Sequence, residues 1–246
     1  MPEDRAGVRL YQLDNAGFAI ASGDRLMLVD ALHPGARFYG GLSREALALV
    51  RALVKGAKKP IPLLITHLHA DHAGEKAIRE TADEIPLKVY SADPAILAWD
   101  LGEAEAALLP LDGDIDLGGA RARAIPLPHL RPERYNILHT ALRLDVGGAS
   151  VFVTGDGLMD EGIYGRTAPF IRGTDVAVCL YSYAFTRHNL AFVKQYIAPR
   201  ILVANHFPRP DLDSFDTMNR FKVFLKKENE GMNIIPFMKV GDSLLI

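Results

Sequence analysis

His67-Leu68-His69-Ala70-Asp71-His72 decides how the rest of the chain is read. It sets three imidazoles and one carboxylate in six positions, donors that suit zinc and other borderline divalent cations. Leu63-Leu64-Ile65-Thr66 before it reads as a buried strand. His67 and His69, two apart, then leave the strand end on the same side. Asp71 and His72 fall where the chain turns into its next element and face a second point nearby, and Gly74 leaves room for a close backbone pass. One short segment therefore supplies two donors to each of two adjacent ions. Scattered surface histidines account poorly for such a pattern in a chain of 246 residues with only 8 His. A structural zinc site is the stronger rival, but such sites usually close with four ligands, often Cys, and this chain has 1 Cys.

The composition, 49% hydrophobic and 24% charged, is that of a globular domain. The expectation is one domain over residues 1–246. No apolar run reaches the length of a membrane span, and Met1-Pro2-Glu3-Asp4-Arg5 lacks a basic-then-apolar signal pattern. A cytoplasmic location without membrane contact follows as an expectation. A formal charge of −2 offers no basic field for a phosphate backbone, so no nucleic-acid partner is expected. Cys179, inside Val176-Ala177-Val178-Cys179-Leu180, reads as a buried, inert thiol.

Working outward, residues 8–30 read as short strands turning at Asn15-Ala16-Gly17 and Ser22-Gly23-Asp24, the last ending in Asp30. His33 to Leu42 is a Gly-rich loop with Phe38 and Tyr39, read as a surface loop with substrate contact as the alternative. Ser43 caps a helix with Leu47, Val50, Leu53 and Val54 on one face and Gly56 after it. A short helix runs from Gly74 to about Thr81, then the strand Leu87-Lys88-Val89-Tyr90, and Asp93 caps a helix through Trp99. Residues 102–120 are turn-rich, with Asp112-Gly113-Asp114 and Gly118-Gly119. An alternating strand from Arg121 ends at Pro126-Leu127-Pro128-His129. Strands near 137–146 and 149–154 follow, the second ending in Thr154-Gly155-Asp156. Residues 157–174 read as a Gly-rich loop, Asp175 to Tyr181 as a buried strand, and a helix from about Thr186 stops at Pro199. Ile201-Leu202-Val203-Ala204 ends in Asn205-His206. An amphipathic helix spans 214–230, burying Phe215, Met218, Phe221, Phe224 and Leu225 and stopping at Gly231, and two terminal strands close the chain. Strands and helices alternate, so the class is α/β.

Ligand-type residues thus recur at the ends of apolar strands: Asp30, His67 with His69, His129, Asp156 and His206. A rigid sheet aims such residues from several directions at one point. The run His67-x-His69-x-Asp71-His72, with later single His, Asp and His at strand ends, resembles the metallo-β-lactamase-fold hydrolase superfamily from about residue 8 to the C-terminus. The resemblance implies an αβ/βα four-layer sandwich of two mixed sheets flanked by helices, with metals at one edge. It implies that His67, His69 and His129 hold one ion, that Asp71, His72 and His206 hold the second, and that Asp156 bridges them. Asp30 would support the site instead of binding metal. Many members carry a Gly-His-Thr-Pro-Gly-like third motif where this chain has Pro126-Leu127-Pro128-His129-Leu130-Arg131-Pro132, so His139 competes with His129. His129 is preferred because it ends a strand, whereas His139 enters the next one.

Two divalent ions, zinc with manganese or iron as alternatives, would share a hydroxide that attacks a carbonyl carbon or phosphorus, with Asp71 orienting it or receiving a proton and Asp156 also catalytic. The third motif and Asn205-His206 resemble the ascorbate-phosphate lactonase-like branch, which implies a small-molecule lactone, ester or phosphoester as substrate and leaves a homo-oligomer open. The rivals are a nuclease or phosphodiesterase, a redox di-iron protein, and a non-catalytic metal-binding regulatory protein. Charge disfavours the first, and Asp156 with the rest of the ligand set disfavours the last. The redox relatives resemble a motif with Glu in place of His69, joined to a flavin domain. His33 and His188 have no assigned role, and His188 reads as solvent-facing. Arg131, Arg134, Arg166, Arg172 and Arg187 lie in or beside loops after the site motifs, where each could pair with a substrate anion.

Overall fold

Apolar runs punctuated by Asn, Gly and Asp form an antiparallel meander at the start of the chain. Its strands are β1 (Val8–Asp14), β2 (Gly17–Ser22) and β3 (Arg25–Val29). A computed structural model describes residues 7–36, 39–55, 59–111, 113–228 and 231–246. Phe38, Gly56 as a helix stop, Asp112, residues 229–230 and the N-terminal residues 1–6 lie outside the described residues. The hairpin β4 (Gly35–Ala36) and β5 (Tyr39–Gly40) leads to α1 (Arg44–Val54), capped by the Ser43 hydroxyl, which accepts from the Ala46 amide. β6 (Ile61–Ile65), α2 (Glu75–Ala82), β7 (Leu87–Ser91) and β8 (Glu105–Leu108) continue the first sheet with parallel pairings.

The second half repeats this logic. β9 (Asp114–Asp116), β10 (Arg121–Pro126), β11 (Thr140–Val146) and β12 (Ala149–Val153) pair antiparallel. β13 (Val176–Leu180), β14 (Ile201–Asn205) and β15 (Ile234–Pro236) then add in parallel. The crossovers carry α3 (Glu161–Ile171), α4 (Arg187–Tyr196) and α5 (Thr217–Glu228), and β16 (Ser243–Leu245) returns to pair with β1. The two sheets run β16-β1-β2-β3-β6-β7-β8 and β15-β14-β13-β12-β11-β10-β9. Parallel strands send their carboxy ends to one edge, where open α/β sheets place their sites.

The sheets pack face to face through Leu10, Phe18 and Ile20 on one side and Leu142, Leu144 and Val151 on the other. α1 and α2 cover the outer face of the first sheet through Val50 and Ile78 over Leu28 and Leu63. α3, α4 and α5 cover the second through Tyr164, Val193 and Phe221 beside Phe152 and Ala177. The architecture is the expected four-layer αβ/βα sandwich. β13 is buried along its whole length, as a parallel strand covered on both faces should be, and it carries the buried Cys179. Among the described residues no helix is long and apolar enough to cross a membrane.

Four local expectations are corrected. Residues 157–174 contain α3, whose Gly162, Gly165 and Pro169 depress its intrinsic propensity. The Asp160 carboxylate caps it by accepting from the Ile163 amide at 2.8 Å, and burial of Tyr164 and Ile171 supplies what propensity lacks. The turn-rich span 102–120 holds β8 and β9, short and mostly exposed, so they show no apolar periodicity. The helix expected over 214–230 starts at Thr217 because the Asp213 carboxylate accepts from the Thr217 and Met218 amides, which leaves Phe215 outside it and 71% exposed. The helix after Asp93 is a short 3-10 turn, Pro94–Ala98.

Candidate metal centre

The strand ends converge. β3 runs into Asp30, β6 into Thr66 and the 67–72 cluster, β10 toward His129, β12 toward Asp156, and β14 into His206. Two contacts stitch the sheets together here: the Thr66 carbonyl accepts from the Thr140 amide at 3.0 Å and from its hydroxyl at 3.2 Å. Two glycines permit the approach. A Cβ at Gly155 would stand 2.8 Å from His139 Nε2 and 2.9 Å from Thr66 Oγ1. One at Gly74 would stand 2.4 Å from Pro34 Cδ.

All seven residues expected as ligands are brought together. Donor atoms of His67, His69 and His129 lie within 4.8 Å of one another, as do those of Asp71, His72 and His206, and those of His67, His72 and Asp156 link the two groups. His67 Nε2 is 3.0 Å from His69 Nδ1, and His72 Nε2 is 3.1 Å from His206 Nε2. Asp156 Oδ1 stands 3.4 Å from both His72 Nε2 and His206 Nε2, and its Oδ2 is 3.6 Å from His129 Nε2. Among the described residues, buried His129 Nε2 and Asp156 Oδ1 have no hydrogen-bond partner. Buried polar atoms in that state are costly unless an ion completes them, so the donor set fits divalent cations with nitrogen and oxygen ligands.

Asp30 explains how the ring nitrogens are aimed. Its Oδ1 accepts from the Thr66 amide at 2.8 Å and its Oδ2 from the Thr66 hydroxyl at 2.7 Å. The same Oδ2 lies 2.9 Å from His72 Nδ1, and Thr66 Oγ1 lies 3.1 Å from His67 Nδ1. Assigning Nδ1–H to both rings satisfies this chain and leaves Nε2 of each facing the donor groups. His129 Nδ1–H donates to the Leu130 carbonyl, with the same result for its Nε2. Asp30 therefore positions the donors of both groups and is not one of them. Thr66 was not anticipated as part of the site; its place immediately before the cluster is the only sign of it in the sequence.

Protonation follows the surroundings. Burial, then the neighbouring imidazoles, pushes His67 well below the ordinary histidine range, and burial pushes His69 and His206 down too, so their lone pairs are free at neutral pH. Burial opposes charge on His72 as well, but Asp156 and Asp30 prevail and raise it well above that range. Burial would raise the Asp156 carboxyl, yet the surrounding His206, His72 and His67 hold it well below the usual carboxylate range.

The remaining histidines separate cleanly. His139 Nδ1–H donates to the Leu127 carbonyl at 3.0 Å, and the ring stands behind His67, 5.0 Å between centroids, outside the donor groups. Burial lowers it to about 4. His33 is fully buried with neither ring nitrogen partnered among the described residues, and burial lowers it to about 3. His188 is exposed on α4, as expected. Two tyrosines flank the donors. The Tyr39 ring stands edge-on to His206 at 4.4 Å, and the Tyr135 ring is 5.0 Å from both His69 and His129. Tyr39 lies in the loop read as a surface loop, with contact only as the alternative, and Tyr135 was not anticipated.

No protein-family model matches the chain, and no curated protein matches it. Solved structures do. The metallo-β-lactamase fold protein YhfI from Bacillus subtilis superposes with a TM-score of 0.68 at 16% identity, covering 98% of this chain and 100% of that one. Igni18, a metallo hydrolase from Ignicoccus hospitalis, gives 0.67 at 17% identity, covering 98% of each. CmlA, a diiron β-hydroxylase from Streptomyces venezuelae, gives 0.65 at 15% identity over 100% of this chain and 55% of its own. These likenesses do not single out a lactonase-like branch. The CmlA match means that the fold alone does not choose between hydrolysis and redox chemistry.

Proposed function

This chain has the metallo-β-lactamase fold, and from that premise we propose that it is a metal-dependent hydrolase of small-molecule lactones, esters or phosphoesters. The observation that carries the reading is the convergence of His67, His69, His129, Asp71, His72, His206 and Asp156 from distant parts of the chain into linked donor groups. His67, His69 and His129 would hold one cation, Asp71, His72 and His206 the other, and Asp156 both. Zinc suits this nitrogen-rich set, and manganese or iron is compatible with it. When bound, a cation pair lowers the pKa of water toward neutrality and polarises the bond to be cleaved.

The chain's own groups supply the rest. Asp156, ionised and set between imidazoles of both groups, would supply negative charge to both. Asp71 Oδ2 lies 3.7 Å from His206 Nε2, and its side chain is 11% exposed, so this carboxylate can orient water or take its proton. The Asp30–Thr66 chain keeps His67 and His72 in the tautomers that ligation needs. The Tyr39 ring stands against His206 of one donor group, and the Tyr135 ring stands against His69 and His129 of the other.

The test is a panel of lactone, thioester, phosphodiester and β-lactam substrates. The metal-loaded protein is expected to hydrolyse at least one class, to lose that activity on chelation, and to regain it with zinc or manganese. Full turnover by rigorously metal-free protein would sink the proposal.

A further inference from the structure

Asp156 Oδ1 has no hydrogen-bond partner among the described residues, so the aim of this carboxylate rests on the turn that carries it. That turn, residues 154–158, is fastened through its backbone. The Thr154 amide donates to the Val178 carbonyl at 3.0 Å, the Gly157 amide to the Thr154 carbonyl at 3.1 Å, and the Leu158 amide to the Pro128 carbonyl at 2.8 Å. The Leu130 amide donates back to the Asp156 carbonyl at 2.7 Å, and His129 and Gly157 stand opposite one another as an isolated antiparallel bridge. The backbone that carries Asp156 is thus tied to the backbone that carries His129.

A further tie comes from a side chain. The Tyr183 hydroxyl donates to the Gly157 carbonyl at 2.8 Å and lies 2.9 Å from the Tyr164 hydroxyl. A carbonyl only accepts, so Tyr183 gives its proton there and accepts from Tyr164, which sets the direction of the chain from α3 to the turn. Tyr164 sits on α3, and Tyr183 on the 3-10 turn Tyr181–Ala184 after β13. The Asn189 side-chain amide on α4 donates to the Ser182 carbonyl of that turn at 2.6 Å and holds it in place. Both tyrosines are buried, and burial raises both phenols, so both keep their protons. Phe152 and Phe192 pack beside them, rings that ask for no hydroxyl. A buried hydroxyl is costly unless it is partnered, and phenylalanine would fill nearly the same space without that cost. Packing alone therefore does not account for tyrosine at 183, whose acceptor lies on the turn, one residue after Asp156.

We propose that Tyr183 is a positioning residue of the metal centre. Its hydroxyl, directed by Tyr164, holds the Gly157 carbonyl and so fixes the turn that aims Asp156 and, through the backbone ties, the segment that carries His129. This rests on the cation-pair reading of the site and adds to it a group that lies outside the donor set. Groups that orient ligands contribute on the order of 10–100-fold to metal affinity. Tyr183 acts through backbone instead of touching a ligand ring, so the lower end of that range is expected.

Cobalt(II) is the probe, since it accepts the same nitrogen and oxygen donors and its visible absorption reports their arrangement. Every protein is measured in trimethylamine N-oxide, which favours the folded state and keeps a weakened variant folded. The wild type should bind cobalt and show a coordination spectrum. Tyr183→Phe should bind about tenfold more weakly in competition with a chelator, with a shifted spectrum at full loading. Tyr164→Phe leaves the bond to Gly157 in place, so it should lower the urea midpoint of the metal-free protein but keep the wild-type spectrum. Para-aminophenylalanine at position 183 retains the ring and an N–H donor, and should recover both spectrum and affinity. Wild-type affinity and spectrum in Tyr183→Phe overturn the role of Tyr183. Equal losses in Tyr164→Phe and Tyr183→Phe, or no recovery with para-aminophenylalanine, do the same, because the effect then belongs to core packing. A wild type that binds no cobalt overturns the cation-pair reading and this inference with it.

Discussion

Asp156→Ala is expected to lose turnover by on the order of 10³-fold or more, as when a group at the reacting centre is removed from a unit that acts together. The size follows from its position. Its oxygens stand 3.4 Å from His72 Nε2 and His206 Nε2 and 3.6 Å from His129 Nε2, so it reaches imidazoles of both donor groups. Alanine removes the charge that links them and leaves buried rings facing one another. Asp156→Asn keeps the shape and loses the charge, so it separates the two effects: its fold should survive and most of its activity should not. Steady-state kcat/KM on the best panel substrate, measured at matched metal content, reads the result. Wild-type kcat/KM in a fully loaded Asp156→Ala protein would place the chemistry elsewhere.

The second large effect falls on stability. Asp30→Ala should destabilise the metal-free protein by about 3–5 kcal/mol, the range for removing one partner of a buried charged pair. That is a large part of the roughly 5–15 kcal/mol available to a native domain. Asp30 is 1% exposed and accepts from the Thr66 amide, the Thr66 hydroxyl and His72, so its loss strands three buried donors. Its φ of 47° adds to the penalty, because alanine tolerates the left-handed region less well than aspartate or asparagine. Asp30→Asn should therefore fall between alanine and wild type. Urea unfolding of metal-free protein reads this without the contribution of bound ions. Metal affinity should drop on the order of 10–100-fold in parallel, as expected for a group that orients ligands. An unchanged midpoint for Asp30→Ala would show that the Asp30–Thr66–His72 chain contributes little to the fold.

Much of this site was legible because its logic is local to strand ends. His67 and His69 sit two apart after an apolar run, and Asp156 and His206 each follow another, so period-two geometry aimed them before any contact was known. The sandwich itself came from a resemblance carried by those motifs, not from periodicity. What escaped reading depends on contacts between distant segments. Thr66 looks like the last residue of a strand until the Asp30 side chain, 36 positions earlier, is seen to accept from it. The left-handed turns at Asp30, Arg131 and His206 leave no local signature, since none is a glycine. α3 was hidden by Gly162, Gly165 and Pro169, because its stability comes from burying Tyr164 and Ile171. That His129 and not His139 stands among grouped donors depends on the strap from Leu130 to Asp156 and on the Leu127 carbonyl that holds the His139 ring, contacts no local pattern announces.

The most direct test of the central claim is a count of bound metal across three proteins. After zinc loading and removal of free ion, the wild type should hold two equivalents per chain, His129→Ala should lose at least one, and His139→Ala should keep both. Full retention in His129→Ala, or fewer than two equivalents in the wild type, would contradict a cation-pair centre built from these seven side chains.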